Sequence, residues 1–281
     1  KVRGVQVFLD IEDAPREDEH GPLAMMLRHI FPLTFQMTDA RKITVSESLA
    51  KRLAIRDYCA VYGATTIDHS SRAVACKENW GAVERGGPLR IHFGGSLSED
   101  TGVSIFCDAV RMLATSPLPG AGCVVFHVTG SGGDEQLSAL QGVCTDPRLQ
   151  VIWRKDLPRE QYLAEFLQCH AGLSLRVPGS CMSETTFPSK VVEITGNGLL
   201  LITTRVSDVP LLFDESNAVL LEHSTARELA ERIKEIMNDP DGMRIRAMGG
   251  HRRAAEVFGE LAVGKRLTAF LDIGAMEHIS T

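Results

Sequence analysis

Lys190 and Glu193 are the pair in this sequence whose types and spacing carry the clearest chemistry. Pro188 suits the first turn of a helix, and a lysine two residues later stands beside N–H groups already directed at an anion. Glu193 follows one turn on and falls on nearly the same helix face. Together such a cation and carboxylate can hold a phosphate and a diol, although a pair at this spacing also reads as a surface ion pair. Two glycine-rich stretches, Gly94-Gly95-Ser96 and Gly130-Ser131-Gly132-Gly133, each follow an apolar run, where a parallel sheet places its ligands. Glycine lets backbone amides approach a phosphate without a Cβ in the way, and it serves any tight strand-to-helix turn equally well. Neither stretch is G-x-G-x-x-G, and no Gly-Lys-Ser/Thr follows to make a Walker A loop.

Other chemistries have less support. His20, His29, His69, His92, His127, His170 and His223 show no metal-ligand spacing and read as surface or core histidines, so no metal is expected. The seven cysteines are scattered singly, which fits a reducing cytoplasm. Thirty basic against thirty-six acidic residues give a net charge of −6 without a basic run, which argues against nucleic acid as a partner. The apolar runs Ala121–Val128 and Gly198–Ile202 stop far short of the roughly 20 residues of a membrane helix.

These residues need a scaffold, and the pattern supplies one. Val5–Ile11 reads as a buried strand, Leu23–Phe35 as a helix, Lys42–Val45 as a strand, and Ser46 as the cap of a helix carrying Leu49, Leu53 and Ile55. The chain then turns polar and glycine-rich between about residues 70 and 88, where a domain boundary is placed. Strands follow at Leu89–Phe93, Val124–Val128, Leu149–Trp153, Ala171–Leu175 and Leu199–Thr203. Helices are expected at Val103–Ala114, near Glu135–Val143, and at Arg159–Cys169, Lys190–Gly196 and Ala226–Asn238. Five successive β-loop-α units predict a doubly wound parallel sheet. At 281 residues, two compact units are expected rather than one.

The order Ile43-Thr44-Val45-Ser46-Glu47-Ser48-Leu49, Phe93-Gly94-Gly95-Ser96-Leu97, Val128-Thr129-Gly130-Ser131-Gly132, then Phe187-Pro188-Ser189-Lys190 with Glu193 and Gly198, resembles group 1 (family 4) glycosyltransferases of the GT-B fold. Asp208-Val209-Pro210 also matches that family. The resemblance implies an α/β fold of two Rossmann-like domains. It assigns residues 1–70 to a remnant of the acceptor-side domain, 71–88 to a linker, 89–258 to a complete nucleotide-sugar domain, and 259–281 to a tail or helix packing back on the first domain. It implies a retaining enzyme, without metal or other cofactor, that moves a sugar from a UDP- or GDP-sugar to a polysaccharide or glycolipid acceptor in cell-envelope synthesis. By position, Glu193 grips the ribose hydroxyls, and Lys190 with the Gly94, Gly95 and Ser96 amides cradles the diphosphate. The loop at Lys155–Leu157 faces the base, and Glu184, Thr185 and Thr186 face the donor sugar.

The chain departs from the family in carrying Gly94-Gly95 and Thr101-Gly102 where many members place an arginine and a lysine; Arg176, after a strand, is the candidate compensating cation or else an exposed loop arginine. Glu184 and Glu193 have eight residues between them where the family's paired glutamates have seven. Glu12-Asp13 resembles the acidic pair at a strand end facing the cleft, or is ordinary loop solvation. Catalytic residues are not assigned. The chain opens Lys1-Val2-Arg3 without an initiator Met, so most of the first domain is expected upstream, and binding of donor without transfer is expected of these residues, with a tendency to aggregate. The face Leu23-Met26-Leu27-Ile30, with Arg28 and His29, is expected either to pack against that domain or to touch a membrane surface. Two other functions compete: a nucleotide-sugar epimerase of the same fold, and a glycosyltransferase-like binding module without turnover.

Overall fold

The computed structural model describes residues 7–14, 21–38, 40–140, 142–144, 146–180, 183–184 and 186–271. Two parallel sheets organise them. The first has the order β1 (Phe8–Ile11), β2 (Arg41–Thr44), β3 (Tyr58–Ala60). The second comprises β4 (Leu89–Ser96), β5 (Val124–Ser131), β6 (Leu149–Arg154), β7 (Ala171–Ser174), β8 (Leu200–Thr204) and β9 (Val219–Leu221), in the order β6-β5-β4-β7-β8-β9. Counted from β4, that is the 3-2-1-4-5-6 order of doubly wound folds, whose ligand crevice opens where the order reverses, between β4 and β7. No helix among the described residues is long and apolar enough to cross a membrane.

Central strands buried on both faces account for the apolar runs in the sequence: β7, β8 and β9 carry only buried residues. Helices α4 (Val103–Ala114), α9 (Ala226–Asn238) and α3 (His69–Glu84) close one face, through Phe106, Val110, Leu229, Ile233 and Trp80. The other face packs on α6 (Arg159–Phe166), α7 (Ser189–Gly196) and α10 (Pro240–Phe258), through Phe166, Val191, Ile194 and Phe258. The stretch read as a linker is therefore largely helical. Asp68 caps α3 by accepting from Ser71 N–H at 3.1 Å, and the helix anchors itself by Cys76 and Trp80, one turn apart. Its remaining face is polar, which hid the periodicity.

The first sheet packs on α1 (Pro22–Gln36) and α2 (Glu47–Arg52) around Ile11, Leu49, Leu53 and Ile55. Ser46 caps α2, accepting from Leu49 N–H at 3.0 Å. On α1, Met26 and Ile30 are exposed, and the side chains of Leu23, Leu27, Arg28 and His29 lie outside the description. Helix α11 (Glu260–Leu271) returns to this sheet: Arg266 donates to the Ala60 carbonyl at 3.2 Å, and Arg41 donates to the Phe270 carbonyl.

Candidate functional site

Beyond Phe93, β4 loses its pairing with β7 but stays paired with β5 out to Ser96 and Ser131. The Gly94-Gly95-Ser96 stretch is thus the end of a strand rather than a strand-to-helix turn, a correction to the sequence reading. A turn over Glu99–Thr101 intervenes before α4. The edge of that stretch facing β7 opens into a cavity of about 220 Å³, lined by Gly94, Gly95, Ser96, Thr101, Arg176 and Lys190 among others. The close approach of the two strands needs glycine: a Cβ on Gly130, at φ +121°, would stand 2.0 Å from the Gly95 carbonyl oxygen.

Lys190 and Glu193 meet on α7 as their spacing predicts, with the ammonium donating to Oε2 at 2.6 Å. Tyr162 on α6 joins them. Its hydroxyl donates to Glu193 Oε1 at 2.6 Å and lies 3.2 Å from Lys190 Nζ, and the ammonium sits 5.4 Å from the ring centroid. Burial, together with the Glu193 carboxylate, pushes the Tyr162 phenol pKa up, so it serves as a donor. Behind them His92 is buried, 2.8 Å from Thr129 Oγ1 through Nε2, and its ring meets Tyr162 edge-on. Burial, with smaller contributions from Lys190 and His127, brings its pKa down to about 3, so it is neutral. Tyr162, His92 and Thr129 come from three separate elements, and no local spacing links them to Lys190.

Arg176 is half-buried in the cavity wall and donates to the Thr186 carbonyl at 3.2 Å and to the Thr186 hydroxyl. Burial draws its pKa down, while the charges of Asp13 and Asp100 oppose this. Thr101 donates to the Ser96 carbonyl at 2.6 Å. Glu184 pairs with Arg52 on α2 at 2.7 Å. Thr185 lies outside the described residues. Lys155 pairs with Asp134 and stands 4.6 Å from the Trp153 ring centroid, at the exit of β6.

A half-buried cation beside open strand-end amides is suited to an anion, and a carboxylate with both oxygens in hydrogen bonds is suited to exchange one for a hydroxyl pair. A larger cavity of about 520 Å³, by Leu137, Cys144 and Trp153, has Asp146 as its charged residue and no cation in its described lining, so it does not suit a diphosphate. Among the described residues no group of three or more His, Cys, Asp or Glu side chains could hold a metal ion.

No curated protein matches this sequence. Similar folds are numerous among solved structures. HepE of Anabaena, in complex with UDP, has a TM-score of 0.69 at 14% identity, over 95% of this chain and 72% of HepE. Sucrose-phosphate synthase of Thermosynechococcus elongatus has a TM-score of 0.65 at 15% identity, over 92% of this chain and 63% of the synthase. TarM of S. aureus, in a complex containing UDP, has a TM-score of 0.64 at 8% identity, over 95% of this chain and 51% of TarM. Identities this low establish the α/β GT-B fold. The sequence profile of the family described as glycosyl transferase-like matches residues 104–272, more than half of the chain, which therefore belongs to that family.

Proposed function

We propose that this chain carries the donor site of a retaining glycosyltransferase of group 1 (family 4), which takes a UDP- or GDP-sugar and transfers the sugar to a polysaccharide or glycolipid acceptor. The observation that carries the reading is the Lys190–Glu193–Tyr162 constellation beside the open end of β4. In this reading Glu193 takes the ribose hydroxyls. Lys190 and the strand-end amides meet the negative charge that develops on the departing diphosphate, so that no metal ion is required. Arg176 is a second cation on the same wall, held in place by Thr186. That HepE has been crystallised with UDP and with UDP-glucose supports a uridine nucleotide as the first donor to test.

Calorimetric titration with UDP and GDP tests the assignment. Glu193→Ala should weaken nucleoside diphosphate binding by about tenfold or more, the scale of a lost hydrogen bond to a charged group. Unchanged affinity would overturn the ribose assignment. A binding module without turnover draws support from Gly94-Gly95 and Thr101-Gly102, which supply no cations where many family members carry arginine and lysine. Sugar transfer to an acceptor panel from labelled donor separates the two readings.

A further inference from the structure

Lys42 lies on the central strand of the first sheet and is only 7% exposed. A buried ammonium is ordinarily matched by a carboxylate, because desolvation costs it more than neutral partners return. Here its hydrogen bond goes to the Thr38 carbonyl at 3.0 Å, just past the end of α1. The negative end of that helix helps hold the charge, but one carbonyl serves one of three N–H donors. Arg56, exposed between α2 and β3, lines the same cavity and has no acidic partner among the described residues. Two cations facing one space repel each other, and no carboxylate is among the described lining residues to offset this.

The cavity holds about 370 Å³, and Phe35 and Ala54 complete its described lining. That volume falls in the range of about 300–1,000 Å³ typical of small-molecule sites. An aromatic ring and two cations in one lining suit an anion that carries carbon. Lys42 stands toward the entry of β2, whereas the contact with the second sheet is made past its exit, where Glu47 and Ser48 meet Asp208. We propose that the cavity at Phe35, Lys42, Ala54 and Arg56 is a binding site for a phosphate monoester, separate from the cavity at Lys190. The ester is either a free small molecule or the headgroup of a lipid.

Titration of the 281-residue chain with glycerol 3-phosphate at fixed ionic strength, followed by calorimetry, tests the proposal. Binding is expected in the wild type and in Lys190→Met, and should weaken about tenfold or more in Arg56→Gln and in Lys42→Met. Arg56 is exposed, so Arg56→Gln should fold even where Lys42→Met does not. Absence of binding to the wild type, or binding kept in Arg56→Gln and lost in Lys190→Met, would overturn the proposal. Sedimentation with phosphatidylcholine vesicles with and without phosphatidic acid identifies the source. Capture dependent on both phosphatidic acid and Arg56 assigns a lipid headgroup, and glycerol 3-phosphate binding without capture assigns a free ester. Capture indifferent to Arg56→Gln would count against the site.

Discussion

Ser48 and Asp208 meet although 160 positions separate them: the Ser48 backbone N–H donates to Asp208 Oδ1 at 3.1 Å, and its hydroxyl donates to the same oxygen. Glu47 N–H donates to the other oxygen at 2.5 Å. A carboxylate from the second sheet's loops thus satisfies first-turn donors of a helix belonging to the first sheet. Asp208 is almost fully buried, so these contacts do not compete with water. Replacing it with Ala leaves those donors without their partner and should cost about 2–3 kcal/mol in urea unfolding. Asp208→Asn, which keeps one acceptor oxygen, should cost less. Equal stability of Asp208→Ala and wild type would show that the junction is held elsewhere, by Arg52 with Glu184 or by the Thr65 N–H donating to the Phe258 carbonyl at 2.9 Å.

Tyr162 holds the Glu193 carboxylate by the oxygen that Lys190 does not take. Tyr162→Phe removes the hydroxyl but keeps the ring stacked on Phe166, with centroids 5.7 Å apart, so the fold should persist. Nucleoside diphosphate affinity should fall by about three- to tenfold, less than for Glu193→Ala, because a positioning hydrogen bond contributes about 1 kcal/mol. Calorimetry on the two variants side by side gives the order. An affinity equal to wild type would mean that Lys190 alone orients Glu193.

Buried histidines give the protein a pH dependence. Burial brings His170 down to about 4, with its Nδ1 accepting from Arg90 N–H at 2.9 Å and its Nε2 facing the Asn79 carbonyl at 3.2 Å. A proton on Nδ1 would oppose the Arg90 N–H. His92, at about 3, refuses a proton likewise. The unfolded chain takes up these protons below the ordinary histidine value of about 6.5. The histidines' contribution to stability is therefore complete above that pH and is lost as the pH falls from about 6.5 toward about 4, amounting to a few kcal/mol. The urea midpoint should drop between about pH 7 and about pH 4.5, and His170→Gln should remove part of that slope. Equal slopes would show that His170 is not the group responsible.

How much was legible follows from where each signal resides. Strands such as Val124–Val128 and Leu199–Thr203 declare themselves because burial on both faces demands continuous apolar runs. Tyr58–Ala60 and Val219–Leu221 have three residues each, too few for any period, and α10 offers a mixed surface after Pro240. Lys190 and Glu193 were readable because one helix turn brings them together. Tyr162 lies 28 positions before Lys190, on another helix, and only the packing of α6 against α7 reveals it. Asp208 could be matched to a family pattern, but its hydrogen bonds to Glu47 and Ser48 depend on how the two sheets meet.

Gly130 pairs with Gly95 in register, and both have positive φ, at +121° and +113°. A side chain at Gly130 meets two penalties: backbone strain of about 1–3 kcal/mol, and a Cβ within 2.0 Å of the Gly95 carbonyl oxygen. Relieving the second must shift Gly95, which forms the cavity wall beside Lys190. Gly120 offers a control, because its φ is +56° and nothing lies within 4 Å of an added Cβ. Gly120→Ala should lose about 1–2 kcal/mol by urea unfolding and leave nucleoside diphosphate affinity unchanged. Gly130→Ala should lose more stability and also weaken nucleotide binding, since the strand end that presents the amides is displaced. If Gly130→Ala is destabilised but binds nucleotide as the wild type does, the Gly94-Gly95-Ser96 amides are not the diphosphate cradle, and Lys190 with Arg176 must hold that charge without them.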